Sequence, residues 1–346
     1  MIAIFKLPCN HIAEHEMLTA PRKGFPHPFG VSYGASLQYW MFLYLYTMPH
    51  QTILLKKPPL FSFEECLWFL DRRYDECMYR ATQTQVVKAL LIEGTPFLFS
   101  VGQNEGDLVI TILQGKPNKK QLASISDYVT DWFDLNTNLT PFYKLLNANK
   151  KLAYMSEEFK GLRLIGIPDL FEALCWSIIG QQINLTFAYK LKRRMVEAYG
   201  QQINYEGNVH LLFPECERLA QLTVPELRAM QFSDKKAEYV ITIAKAFAAA
   251  QLSKEIIKAL PTLQAKQEAL TKIKGIGIWT ANYALMKSLR EPASVPHGDV
   301  GLLNALSNHA IIKDRSETSK IESLFKKFKG WESYLVFYLW RSLAKQ

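Results

Sequence analysis

Cysteine is scarce in this 346-residue chain: five residues, at positions 9, 66, 77, 175 and 216, with no C-x-x-C pair among them. An odd total, so scattered, argues against a disulfide frame and for reduced thiols in a cytoplasmic setting. No cysteine follows Cys216, so the four closely spaced thiolates of an iron-sulfur loop are missing from the C-terminal part. Long apolar runs are missing too. The run Leu37 to Tyr46, LQYWMFLYLY, is too short to cross a bilayer and has neither the basic start nor the small-residue cleavage site of a signal peptide, so no membrane segment is expected. There is no fixed-period repeat and no low-complexity segment, which excludes solenoids and biased disordered tracts. Acidic residues are the scarcer sign. Against 41 Lys and Arg stand 32 Asp and Glu, and the formal charge of +9 favours polyanionic partners. With 49% hydrophobic and 21% charged residues, the chain can bury a large core across two or three domains.

Patterning divides the chain into three parts. Residues 1-47 stand apart as an extension that holds Phe25-Pro26-His27-Pro28 and the string His11 to His15, HIAEH. That string matches the H-x-x-E-H zinc-protease pattern by spelling alone, with no surrounding domain to support a metal. Organised pattern begins just after Met48, which makes Met48 an alternative start. Residues 48-135 read as α+β. Thr52 to Leu55, Gln85 to Ile92, Phe97 to Val101 and Leu108 to Leu113 are strand-like, separated by the turn chemistry of Gly94-Thr95-Pro96 and Asn104-Glu105-Gly106-Asp107. Helical stretches at Phe63 to Tyr74 and Leu122 to Phe133 flank them. Residues 136-346 read as almost all helix, broken at Gly200-Gln201, Phe213-Pro214, Leu260-Pro261 and Glu291-Pro292.

The segment Leu270 to Leu306 carries the chemistry. Leu270 and Ile273 close one helical stripe, Ala281, Ala284, Leu285 and Leu289 open another, and Gly275-Ile276-Gly277 lies between them. Glycine permits positive φ and close backbone approach, so the amides around Ile276 to Ile278 can face outward at a helix start, where a phosphate fits. As a bare string, the same three residues could simply end one helix and begin the next. Asp299 follows Pro296-His297-Gly298 and precedes Val300-Gly301-Leu302, a spelling that places it at a helix N-terminus, where amide dipoles keep a carboxylate ionised. An ordinary N-cap, worth about 1 kcal/mol, has the same spelling. Trp279 and Tyr283 are four apart and share a helix face, although aromatics at that spacing also pack cores.

Leu270, Ile273, Lys274-Gly275-Ile276-Gly277, Thr280 and Ala281 resemble the helix-hairpin-helix motif, and Pro296 to Gly301, PHGDVG, is similar to the Gly/Pro-rich loop and Asp of the base-excision DNA glycosylases that share it. Within that superfamily the chain resembles the alkylation-repair branch, the DNA-3-methyladenine glycosylase II type. Gly161-Leu162-Arg163-Leu164, Asp169 and Phe171 to Gly200 resemble the helix and turn that carry the family's DNA wedge, and Trp331 to Trp340 resembles its closing helix. The resemblance runs from about Met48 to the C-terminus. It implies an α+β fold: a small N-terminal domain similar to half of the TATA-binding protein, then all-α domains with the hairpin at 270-290 and the catalytic loop at 296-301. It also implies a monomer that acts on damaged double-stranded DNA.

Roles follow by the same resemblance. Asp299 is the catalytic carboxylate, and Trp279, Tyr283 and Trp340 form the base pocket, where electron-rich rings favour a cationic alkylated purine over its neutral parent by ~1–2 kcal/mol. The enteric type carries an aromatic after the Asp, whereas Val300 stands here. Gln182 takes the wedge position, often Leu in alkylation glycosylases; as plain chemistry, Gln181 and Gln182 could equally be turn residues on a wet surface. Gly275, Ile276, Gly277 and Lys274 would contact phosphate, with Lys272 and Lys235-Lys236 either joining them or forming a solvated face. No divalent metal or organic cofactor is implied, only a monovalent cation on the carbonyls of Thr271, Ile273 and Ile276 when DNA is bound. Bifunctional relatives place a lysine just after the hairpin, but Ile278 and Trp279 stand there and Lys287 is expected to point away, so water is the nucleophile and an abasic site the product. Two other readings stay open: a DNA clamp without chemistry, and a glycosylase for oxidised or deaminated bases.

Overall fold

In a computed structural model of the protein, residues 3–5 and 51–345 are described; the HIAEH string, the run Leu37 to Tyr46 and Met48 lie outside them. An antiparallel sheet forms from β1 (Ala3–Phe5), β2 (Thr52–Lys56), β3 (Tyr79–Ala81), β4 (Val86–Ile92), β5 (Thr95–Gln103) and β6 (Asp107–Gln114), in the order β1-β2-β6-β5-β4-β3. The period-2 signal is clearest in β6, where Leu108, Ile110 and Ile112 alternate inward. β1 pairs with β2, Ala3 opposite Leu54, so three residues of the segment set apart in the sequence belong to the sheet. On the inner face lie α1 (Phe63–Leu70), capped by Ser62, and α2 (Lys119–Trp132), which opens on a capping box of Asn118 and Gln121.

Helix α1 stops one turn before the expected Tyr74. The carboxylate of Glu76 accepts from the amides of Cys77 and Met78, both at 2.8 Å, and from Lys192 Nζ at 2.6 Å, and these bonds hold residues 71–78 as a turn leading into β3. The partner lysine lies more than a hundred residues away, so no local pattern reveals the break.

The helical part continues with α3 (Thr140–Asn147), α4 (Met155–Glu158), α5 (Leu170–Ile179), α6 (Leu185–Tyr199), α7 (Cys216–Ala220), α8 (Val224–Ala229), α9 (Asp234–Ala248), α10 (Lys254–Ala259), α11 (Leu263–Thr271), α12 (Ile278–Ala284), α13 (Val300–Asn308), α14 (Thr318–Lys327) and α15 (Glu332–Ser342). A two-stranded hairpin interrupts it: β7 (Gln202–Tyr205) and β8 (Asn208–Leu211), turning at Glu206-Gly207. The almost all-helix reading is corrected here. Strands of four residues are too short to show periodicity, though Glu206-Gly207 between Tyr205 and Asn208 was a turn signal.

Two hydrophobic cores form, and they do not divide at residue 135. One unites the sheet domain with α3, α4 and the last helices through residues such as Phe99, Phe142, Leu306, Phe328 and Tyr338. The other spans α5 to α12 around Ile178, Leu191, Val240, Ile243 and Leu285. The chain therefore leaves the first core, builds the second, and returns. Buried Arg163 ties the crossing, donating to the carbonyls of Pro59, Asp134 and Thr137, while Gly161, at φ +82, packs so tightly on Phe61 and Ser62 that no side chain would fit. Cys66 and Cys77 are buried, and burial pushes both thiols up to about 12, well out of the reactive range. Among the described residues no helix is long and apolar enough to cross a membrane.

Candidate active site

The hairpin forms as the glycines require. Gly275 holds φ +95 with its Cα against the face of the Tyr239 ring, so a Cβ there would land on the ring; Gly277 has open space where its side chain would be and sits extended as the N-cap of α12. Ile276 between them is 4% exposed and anchors the turn in the second core. Ile273 and Gly277 carbonyls accept from Ile276 and Ala281 amides, whereas no amide among the described residues bonds the Thr271 or Ile276 carbonyl. Lys274 is exposed and paired with Glu238 at 2.5 Å. Lys236 is not a free surface cation: its Nζ donates to the Ile179 carbonyl at 2.6 Å, capping α5, and burial lowers its pKa to about 8.

The loop before α6 has two glutamines with different duties. Gln182 is exposed and adopts φ +56, so the turn projects it outward. Gln181 is half-buried and donates to Thr280 Oγ1 at 3.0 Å and the Gly275 carbonyl at 3.3 Å, which fastens this loop to the hairpin. The resemblance singled out Gln182, while as turn chemistry the two were alike; the fold gives Gln181 the separate duty of a strut.

Asp299 is the N-cap of α13, with Oδ1 accepting from Leu302 N at 2.7 Å. The same oxygen accepts from Trp340 Nε1, at 2.9 Å, reaching across from α15. Gly301 makes room for that contact, since a Cβ there would stand 3.1 Å from Asp299 Oδ1 and 3.4 Å from the Trp340 ring. Among the described residues both bonds fall on Oδ1 and none on the other carboxylate oxygen. Trp340, expected as a pocket wall, is thus also the residue that orients the carboxylate. Val300 beside it is 58% exposed.

The three aromatics named from sequence meet in a half-buried row. Trp279 stacks on Tyr283 with centroids 5.5 Å apart and planes 16° off parallel, and Tyr283 lies 6.3 Å from Trp340. Behind them stand rings that sequence reading missed. Trp176 donates from Nε1 to the Tyr283 hydroxyl at 3.1 Å and packs on Tyr189, which stacks on Tyr74. Trp176 was legible as a helix residue, but nothing in its spacing pointed across 107 positions to Tyr283.

Lys287 corrects an expectation. Instead of pointing away, it shares the cavity lined by Tyr283, because one turn separates the two and α12 there widens into a π-helical turn, Leu285–Leu289. Its amine is buried over the Phe69 and Phe337 rings, donates to the Ile165 carbonyl, and is driven far below a lysine's usual pKa by desolvation, with Arg290 and Arg72 adding to the effect.

A glycine hairpin at a helix start, a row of rings and a carboxylate held by an indole N–H have the chemistry that a protein handling DNA backbone and bases requires. Family comparison agrees. Residues 175–330 match the HhH-GPD superfamily of base excision DNA repair proteins, and residues 70–174 the N-terminal domain of 8-oxoguanine DNA glycosylase. A DNA-3-methyladenine glycosylase of Bacillus subtilis is 39% identical over 85% of this chain and 98% of its own length. DNA-3-methyladenine glycosylase 2 of Escherichia coli is 29% identical over 56% and 64% of the respective lengths. The 3-methyladenine DNA glycosylase of Archaeoglobus fulgidus has the same fold, with a TM-score of 0.72 at 23% identity over 83% of this chain and 96% of that one. The chain belongs to the HhH-GPD superfamily, in the 3-methyladenine DNA glycosylase branch, and is a DNA glycosylase of base excision repair.

Proposed function

We propose that the protein excises alkylated purines of the 3-methyladenine type from double-stranded DNA, as a monofunctional enzyme acting as a cytoplasmic monomer. The observation that carries this reading is the coupling of Asp299 to Trp340, itself the end of the Tyr283 and Trp279 row. Rings offered to the base and a carboxylate offered to the sugar are one connected unit.

In this reading the hairpin amides of Gly275, Ile276 and Gly277, with Lys274 released from Glu238, hold the DNA backbone. The carbonyls of Thr271 and Ile276, which accept no amide among the described residues, and that of Ile273 would hold a monovalent cation, whose charge would favour a DNA phosphate at the hairpin. Gln182 fills the gap left by the extruded nucleotide, and hydrogen-bonds its orphaned partner. The methylated purine, positively charged, is held against Trp279, Tyr283 and Trp340 by cation–π attraction. As the bond from C1′ to the ring nitrogen breaks, its electron pair leaves with the base, which becomes neutral. The free oxygen of Asp299 stabilises the positive charge on the sugar and takes a proton from the water whose oxygen bonds C1′. The products are free base and an abasic site.

Ile278 and Trp279 after the hairpin, and the engagement of the Lys287 amine with the Ile165 carbonyl, support water over lysine as nucleophile. The match of residues 70–174 to an 8-oxoguanine glycosylase domain keeps oxidised purines as the second reading. Both are tested by giving the purified protein duplexes with 7-methylguanine, 3-methyladenine or 8-oxoguanine, each with and without borohydride. Release of the methylated bases without a trapped covalent adduct is expected. Preferential 8-oxoguanine release, or a borohydride-trapped adduct, would overturn the assignment.

A further inference from the structure

Behind Tyr283 lies a partly enclosed cavity of about 50 Å³, lined by both charged groups and rings, that the reaction above does not use. By volume it has room for roughly three waters. Its walls come from both cores, with Arg72 and Lys88 on the sheet side, Glu172 and Trp176 on α5, and Tyr283 and Lys287 on the second hairpin helix. Most of its charged groups are already engaged. Lys192 pairs with Glu76, Lys88 donates to the Met78 carbonyl at 3.2 Å, Arg72 donates to the Phe69 carbonyl at 3.0 Å, and Lys287 donates to the Ile165 carbonyl.

Glu172 differs from all of these. It is 9% exposed, yet among the described residues its carboxylate accepts no hydrogen bond and joins no ion pair; only its backbone amide is bonded, to the Asp169 cap. Its oxygens are not among the fully buried atoms that lack a partner, so they reach the accessible space of the cavity they line, where a donor on a guest could meet them. It sits one helical turn from Trp176, whose indole holds the Tyr283 hydroxyl, and Tyr283 lies beside the Trp340 that orients Asp299. The cavity is therefore joined side chain by side chain to the reacting centre.

We propose that this cavity admits the edge of the extruded purine and that Glu172 is a specificity-determining residue, accepting N–H bonds from a positively charged, N-alkylated base. The inference rests on the reading in the preceding subsection and adds to it a polar contact that the aromatic rings cannot supply. Alkylation at a ring nitrogen spreads positive charge over the purine and strengthens its N–H donors. In 7-methylguanine, N1–H and the N2 amino group stand side by side, matching the two oxygens of one carboxylate. Burial, with Asp169 and Glu76 adding to it, raises the Glu172 carboxyl pKa despite the opposing pull of Lys88 and Lys192, and an arriving cationic ring would shift it back toward the ionised form. Of the surrounding cations, Lys192 is neutralised by Glu76 and burial favours the uncharged form of Lys287, which leaves Arg72 and Lys88 as the charges that the Glu172 carboxylate has to offset for such a guest.

The test compares wild type, Glu172→Gln and Glu172→Asp in single-turnover release of 7-methylguanine, beside binding to a duplex with a tetrahydrofuran abasic analogue, which presents no base. Glutamine keeps the volume, loses the charge and one acceptor, and is expected to cut release about tenfold with affinity for the abasic analogue unchanged. Aspartate should recover part of the loss. Unchanged release by the Gln variant would remove Glu172 from recognition, and parallel losses in release, abasic binding and melting temperature would reduce it to a structural role. A wild type that releases no methylated base would instead overturn the underlying substrate reading and this inference with it.

Discussion

Replacing Asp299 by asparagine tests the proposed catalytic role apart from the cap, because among the described residues both bonds to the carboxylate fall on Oδ1. Oδ1 accepts from Leu302 N at 2.7 Å and from Trp340 Nε1 at 2.9 Å, and an asparagine carbonyl can accept both. Asparagine also ranks with aspartate as an N-cap, so the only stability loss is the charge at the helix start, ~0.3–1 kcal/mol. For a protein of this size that moves the melting temperature by about 3 °C at most. The rate should fall much further. In the proposed reaction the missing charge is the one that stabilises the cationic sugar, and deleting a preorganised electrostatic group of this kind costs roughly 10²–10³ in rate, about 2.7–4 kcal/mol of barrier. Single-turnover base release from methylated duplex, paired with thermal melts and affinity for an abasic analogue, reads all three quantities. The expected result is near-normal stability and affinity with release down at least about a hundredfold. Asp299→Ala should lose the same rate and a further ~1 kcal/mol of stability, since the cap goes too. If the Asn variant kept more than about a tenth of wild-type release, the carboxylate would be a cap and nothing more, and the hairpin region a binding clamp.

Trp340→Phe keeps a ring but removes the donor to Asp299; a hydrogen bond to a charged group is worth ~1.5–3 kcal/mol, so release should drop about tenfold or more with DNA affinity retained, and an unchanged rate would remove Trp340 from the orienting role. Gly275→Ala must bear both φ +95 and a Cβ on the Tyr239 ring, so a loss of at least ~1–2 kcal/mol in stability is expected together with weakened binding to undamaged DNA, and a variant that melts and binds like wild type would refute the packing. For Lys287→Met the readout is pH dependence. The folded pKa lies below the unfolded value near 10.5, so the wild type gains stability from this group as pH rises through that interval, and a Met variant should lack that rise in melts taken from neutral to alkaline pH; identical slopes would contradict burial of the amine.

Local chemistry determined a good deal. Strands β2, β4, β5 and β6, α2, the Gly-Ile-Gly hairpin, the N-cap position of Asp299 and the shared face of Trp279 and Tyr283 all depend on periodicity, turn residues and capping, which act within a few residues and are written directly in the chain. Tertiary structure decided the rest, and in each case the deciding partner is far away in sequence. Glu76 ends α1 because Lys192 reaches it, Gln181 becomes a strut because Gly275 and Thr280 come beside it, and Trp340 orients Asp299 because the last helix folds back across α13. The same return of the chain puts the closing helices in the sheet domain's core and leaves Tyr283, Lys287 and the unpaired Glu172 around a cavity between the two cores. Contacts closed over separations from 41 to 116 residues leave no periodic trace in the sequence, since they depend on how whole elements pack against one another.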